Sequence, residues 1–127
     1  MNRRLYDAIA DMIGPALVER MYLRLPPDAE LPKVAAAVYV ALNGDGQPAY
    51  VGSVHRPSCA HALADRMREH RASERWHWLV VFPIHASTPT KIVRLLEGAV
   101  SSVLWPSQTR RRPRSDLPPP GGWTRAA

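Results

Sequence analysis

The side chains best suited to joint chemistry are two tyrosines, an arginine–histidine pair and one glutamate. Tyr39 and Tyr50 flank the turn signal Asn43-Gly44-Asp45-Gly46, whose residues tolerate the positive φ of a hairpin. A turn centred between Gly44 and Asp45 sets the two phenols directly opposite each other, with Cβ atoms about 4.5–5.5 Å apart. They would share a shallow face with Ala37, Ala41, Pro48 and Gly52, while Val38, Val40, Leu42 and Val51 point to a core. An ordinary aromatic cross-strand pair is the alternative. Arg66 and His70 stand four apart in a helical pattern, so their side chains meet. A guanidinium stabilises charge on a phosphate and an imidazole moves a proton near neutral pH. With Asp65, Arg68, Glu69 and Arg71 around them, the pair also reads as a solvated helix face.

Glu97 is the sole acid of the last predicted helix. It lies at the edge of an apolar arc of Ile92, Val93, Leu95, Leu96, Ala99, Val100, Val103 and Leu104. A carboxylate half-buried beside aliphatics is costly unless a cation meets it. An arginine would serve, as would a hard divalent ion, which accepts a single protein carboxylate with water and phosphate completing its shell. A boundary glutamate that reaches water is the alternative. Cys59-x-His61 with His55 matches no standard four-ligand zinc spacing.

The elements that must position these residues follow from periodicity and punctuation. Leu5, Ile9, Met12 and Ile13 predict a helix over 3–13 capped by Asn2, and Pro15 opens a second short helix through Arg24. Such a helical lead usually covers one edge of a sheet. Residues 25–32 form a proline-rich linker. Strands are predicted at 34–42, 47–52 and 76–84, with a loop at 53–60 and a helix at 61–72 bearing Leu63, Met67 and His70 on one stripe. Thr88-Pro89 caps and opens a final helix that Pro106 stops.

Taken in this order, residues 34–106 resemble the GIY-YIG nuclease domain. Ala37-Val38-Tyr39 corresponds to the first motif and Tyr50-Val51-Gly52 to the second. Arg66 and His70 correspond to the helical arginine and following histidine, and Glu97 to the metal-binding glutamate. The resemblance implies a small α/β (α+β) fold, with a three-stranded, mainly antiparallel sheet flanked by helices. It also implies a metal-dependent DNA endonuclease. Glu97 would hold one Mg²⁺ or Mn²⁺ bound to the scissile phosphate. Tyr50 or Tyr39 would act as general base, Arg66 would stabilise the pentacovalent phosphate, and His70 would assist proton transfer or position the base. A tyrosine normally titrates near 10, so the basing role requires positive charge, which Arg66 and the metal could supply. The chain departs from the pattern in four places. Ala37 replaces the first glycine, and Ser53 stands where some members carry a lysine, with His55 and Arg56 close by. The Gly52-to-Arg66 stretch is longer than in compact members. Ser107-Gln108-Thr109 follows Pro106 where an asparagine is common, and the chain's only asparagines are Asn2 and Asn43. The active-site core is present, which favours a live enzyme; the missing asparagine and Ser53 motivate the alternative of a non-catalytic nucleic-acid-binding module on the same scaffold.

The organisation read from the sequence is a helical extension and linker (1–32), the nuclease-like domain (33–106) and a basic Pro/Arg-rich tail (107–127). The formal charge is +6, from 17 Lys+Arg against 11 Asp+Glu. Only Lys33 and Lys91 are lysines, so the surface is arginine-dominated and suited to a polyanion. DNA is the expected partner, with Arg56, Arg110, Arg111 and Arg112 as phosphate-binding candidates. Met12, Ile13, Leu17 and Met21 would form a homodimer surface. The single cysteine excludes an internal disulfide, no apolar run approaches the ~20 residues of a membrane helix, and Asp7 and Asp11 argue against a signal peptide. A cytoplasmic location is the expectation.

Overall fold

The structure, a computed structural model, describes residues 1–70 and 75–106. The tail arginines Arg110, Arg111 and Arg112 lie outside the described residues. The fold is α/β: helix α1 (Arg3–Ile13), strands β1 (Ala36–Leu42) and β2 (Pro48–His55), helix α2 (Ala62–Glu69), strand β3 (Trp78–Pro83) and helix α3 (Thr90–Leu104). The three strands form one antiparallel sheet in the order β2-β1-β3. Among the described residues no helix is long and apolar enough to cross a membrane.

The sheet is buried on both sides, which explains why β1 is a continuous apolar run. On one face α1 and α3 enclose Val38, Val40, Leu42, Val51, Val80 and Phe82. On the other, α2 covers Ala37, Tyr39, Ala41, Leu79 and Val81. The tyrosine face is therefore not the open floor that small side chains suggest: Tyr39 is completely enclosed, and Tyr50 is half-buried.

The hairpin register also differs from expectation. Tyr39 faces Gly52 and Tyr50 faces Ala41. Asn43 N–H bonds the Gln47 carbonyl at 2.9 Å, Gly46 N–H bonds Asn43 at 2.9 Å, and Gly46 adopts φ +83°. The turn is thus the three-residue kind with a left-handed glycine and an adjoining bulge at Ala41/Leu42. The shift is by two residues, so both phenols keep their common face but stand diagonally.

The predicted second helix is absent. After a single 3₁₀ turn (Gly14–Ala16), the chain runs extended along the outer edge of β3. Leu17 bridges Ile84, Val18 N–H bonds Pro83 O at 2.8 Å, and Leu25 exchanges backbone bonds with Leu79 at 2.9 and 2.6 Å. Satisfying an exposed sheet edge outweighs local helix propensity here. The lead does cover an edge, as expected, but as a strand-like strap. Helix α1 is capped by Asn2, whose side chain accepts from Leu5 N–H at 2.9 Å. Its buried stripe is Tyr6, Ile9, Ala10 and Ile13, and Met12 is exposed. Of the four residues expected at a homodimer surface, Ile13 is buried in the core and Leu17 packs against it, whereas Met12 is exposed and Met21 half-buried.

Helix α3 begins at Thr90 with Pro89 at the cap position and no capping bond from Thr88. Its apolar arc is wider than the face it buries. Val93 and Val100 are enclosed, whereas Ile92, Leu95 and Val103 are exposed. The helix ends at Leu104 before Pro106, with Trp105 in the left-handed region (φ 50°).

Candidate active site at the edge of strand β2

Gly52 is where the site is built. A Cβ at this position would stand 2.5 Å from the Tyr39 hydroxyl oxygen and 2.8 Å from Cε2 of Tyr50. Only a residue without a side chain lets the Tyr39 ring lie across the outer strand β2. Strand alternation then brings Tyr50 alongside, with ring centroids 6.4 Å apart. His70 packs edge-on to both, at 6.0 Å from Tyr39 and 5.3 Å from Tyr50. The Tyr39 hydroxyl and His70 Nε2 share a hydrogen bond of 2.7 Å.

His70 reaches this place by a route other than the helical spacing predicted. Helix α2 ends at Glu69, and His70 has extended backbone (φ −88°, ψ 110°). The chain turns at that residue, and the imidazole swings over the phenols. Arg66, still helical, sets its guanidinium beside the Tyr39 phenol. Its Nε is buried with no hydrogen-bond partner. Trp76 completes the cluster, stacked on Tyr50 at 5.3 Å and 5.2 Å from His70. The sequence reading assigned Trp76 only to a strand. It lies just before β3, and nothing in its local pattern marks it as a site neighbour.

Glu97 comes from the opposite layer. On β2 the residues Val51, Ser53 and His55 alternate away from the tyrosines, towards α3. Ser53 Oγ donates to Glu97 Oε1 at 2.6 Å. Two residues on, His55 bonds Thr90 Oγ1 through Nδ1 at 2.6 Å and the Ala86 carbonyl through Nε2 at 3.0 Å. The strand is thereby stitched to α3 at two points about two helical turns apart on the same face. Glu97 still lies close enough to Tyr39 for its charge to oppose ionisation of the phenol. The site straddles the edge of β2, with the phenols, His70 and Arg66 on one face and Glu97 on the other. Strand alternation alone could have marked Ser53 as the neighbour of Glu97.

The electrostatics separate the roles. Burial pushes the Tyr39 phenol well above its ordinary range. Arg66 works against that rise, and Tyr50 and Glu97 add to it. Tyr39 therefore keeps its proton. His70 is lowered, by burial first and then by the Arg66 charge, with Glu69 opposing. Burial acts against the charge of Arg66, but Tyr39 and Glu69 more than offset it and hold the guanidinium ionised.

Arg56, expected to contact nucleic acid, makes a two-pronged ion pair with Glu69 at 2.9 and 2.7 Å. The Cys59, His61 and His55 grouping does not assemble: Cys59 bonds Asp65, and His55 is engaged with α3. No group of three or more His, Cys, Asp or Glu side chains suited to a metal occurs among the described residues. An open groove of about 1090 Å³ runs between Pro26–Leu31 and the C-terminal end of α2, with Glu69, His70, Trp76 and His77 on its wall. It leads from solvent to the imidazole.

No protein-family model, curated protein or solved structure matches this chain.

Proposed function

We propose that this protein is a metal-dependent DNA endonuclease of the GIY-YIG type. The observation that carries the reading is the meeting of Tyr39, Tyr50, Arg66 and His70 over Gly52, with Glu97 in electrostatic reach across the same strand edge. A phenol, an imidazole and a guanidinium beside a carboxylate make up the equipment of phosphodiester hydrolysis.

The donor set fits a hard cation. Glu97 offers a carboxylate and Ser53 a hydroxyl, both oxygen ligands, with room in the shell for water and phosphate. A bound Mg²⁺ or Mn²⁺ supplies Lewis-acid stabilisation of charge on the phosphate. The remaining work falls to side chains. His70 is neutral at physiological pH and partly exposed on the groove wall, so it takes the proton of the attacking water. Tyr39 is enclosed and keeps its own proton. It accepts from His70 Nε2–H, which leaves Nδ1 as the nitrogen that takes the proton, instead of acting as the base itself. The base expected from the sequence at Tyr39 or Tyr50 is thus reassigned to the histidine packed beside them. Arg66 stays charged beside the Tyr39 phenol and adds positive charge to the site.

The decisive experiment incubates the purified protein with Mg²⁺ or Mn²⁺ on linear, nicked and branched DNA, beside Glu97→Ala. The wild type is expected to cleave at least one substrate, and Glu97→Ala to be slower by about 10²-fold or more, as loss of several kcal/mol of charge stabilisation implies. Equal rates would reject the metal role of Glu97.

One observation favours a second reading, a nucleic-acid-binding module without catalysis. Ser53 already donates to Glu97 at the oxygen a metal would use. That reading predicts salt-sensitive DNA binding and no cleavage with either ion.

A further inference from the structure

Glu69 is the last residue of α2, and it has two guanidiniums on one carboxylate. Arg56 grips both oxygens at 2.9 and 2.7 Å, and Arg66 Nη1 stands 3.5 Å from Oε1. A carboxylate presents to a guanidinium fork the same pair of oxygens that a phosphodiester does. All three side chains are partly open to solvent, at 37% for Arg56, 35% for Arg66 and 48% for Glu69. The arginines are carried by ordered parts of the fold. The Arg56 N–H is bonded to Ala35 O at 2.8 Å directly after β2, and Arg66 sits within α2.

We propose that Arg56 and Arg66 form a clamp for a backbone phosphate of nucleic acid, and that Glu69 occupies this clamp until the phosphate displaces it. This rests on the nucleic-acid reading above and adds to it a second anion position, one residue from His70 and distinct from the Glu97 side of the strand. Exposed ion pairs hold little net free energy, because each partner retains most of its water. A polyanion can therefore exchange with Glu69. Acidification cannot open the clamp within the working range, because hydrogen bonding from Arg56, reinforced by both arginine charges, holds Glu69 down at about 2. Release is thus by competition with another anion.

The test measures anisotropy of a short fluorescein-labelled DNA duplex in EDTA, where hydrolysis plays no part. Failure of the nuclease reading is scored separately, in the cleavage assay. Glu69→Gln is expected to bind about two- to fivefold tighter than wild type, the range set by freeing one exposed ion pair, with a steeper salt dependence. Arg56→Ala is expected to bind more weakly, and in Arg56→Ala/Glu69→Gln the gain disappears. Glu19→Gln, at an exposed position on the chain's other flank, makes the same change in net charge and is expected to gain less. An equal gain in Glu19→Gln, or a gain that persists without Arg56, would overturn the clamp. So would inorganic phosphate, at matched ionic strength, competing as well as an equal amount of DNA phosphate. That result would assign the site to a small anion.

Discussion

Tyr6 and Tyr39 are both completely buried phenols, on opposite faces of one three-stranded sheet. Tyr6 belongs to the α1/α3 face. Its ring stacks on Phe82 at 4.4 Å, its hydroxyl donates to Val81 O at 3.1 Å, and it accepts from Met21 N–H at 2.9 Å. Both partners are backbone groups, so the phenol ties the edge strap to the sheet and does nothing else. Tyr39 belongs to the α2 face. Its hydroxyl meets a titratable imidazole, and a charged guanidinium lies beside it. Burial pushes both phenols up and keeps both protonated. Enclosure therefore does not distinguish a structural tyrosine from a functional one. The partners do: backbone amides cannot change protonation state, whereas His70 can.

That contrast can be strained at several points. The largest effect on the fold is expected from Gly52→Ala. The added methyl meets two aromatic rings below 3 Å, and overpacking of this kind costs about 2–3 kcal/mol. It should lower the denaturation midpoint and separate the Tyr39, Tyr50 and His70 rings together, abolishing cleavage. A variant that kept both stability and cleavage would show that the rings can rearrange freely and that Gly52 does not build the site.

Tyr6→Phe comes next. Losing a buried hydroxyl that serves two backbone partners costs about 1–2 kcal/mol, a drop of several degrees in thermal midpoint. Cleavage measured well below that midpoint should be unchanged. Loss of cleavage without loss of stability would break the assignment of Tyr6 as a purely structural phenol.

The smallest effect concerns acid. The folded pKa of His70 lies below its ordinary 6.5, so the unfolded chain binds more protons in the interval between the two values. Stability from this group is present above about 6.5 and declines as pH falls through that value towards the folded pKa. His70→Gln should flatten the acid limb of a denaturation-against-pH series. An unchanged limb would mean that the imidazole is not set against burial and Arg66.

The Tyr39 side of this contrast is legible in the sequence, for identifiable reasons. Strand period and the Asn-Gly-Asp-Gly turn put both tyrosines on one face, because an error of two residues in register preserves parity. What the turn signal left open was the three-residue geometry with Gly46 at positive φ. The strap along β3 was missed because Leu17 and Leu25 pair with residues more than fifty positions away, and local propensity carries no trace of that. The place of Trp76 and the Arg56–Glu69 ion pair are likewise products of chain crossing. Tyr6 was missed within an otherwise correct helix, since its neighbour Leu5 fits the same stripe one position off.

The most direct test compares cleavage rates across pH for wild type, Tyr39→Phe and Tyr6→Phe, each in Mn²⁺. The account predicts that wild type and Tyr6→Phe share one profile, falling on the acid side as His70 takes up a proton. Tyr39→Phe should fold normally, cleave about 10²-fold more slowly and show a displaced acid limb. If Tyr39→Phe cleaves with the wild-type rate and profile, the phenol–imidazole pair is not the working part of this molecule.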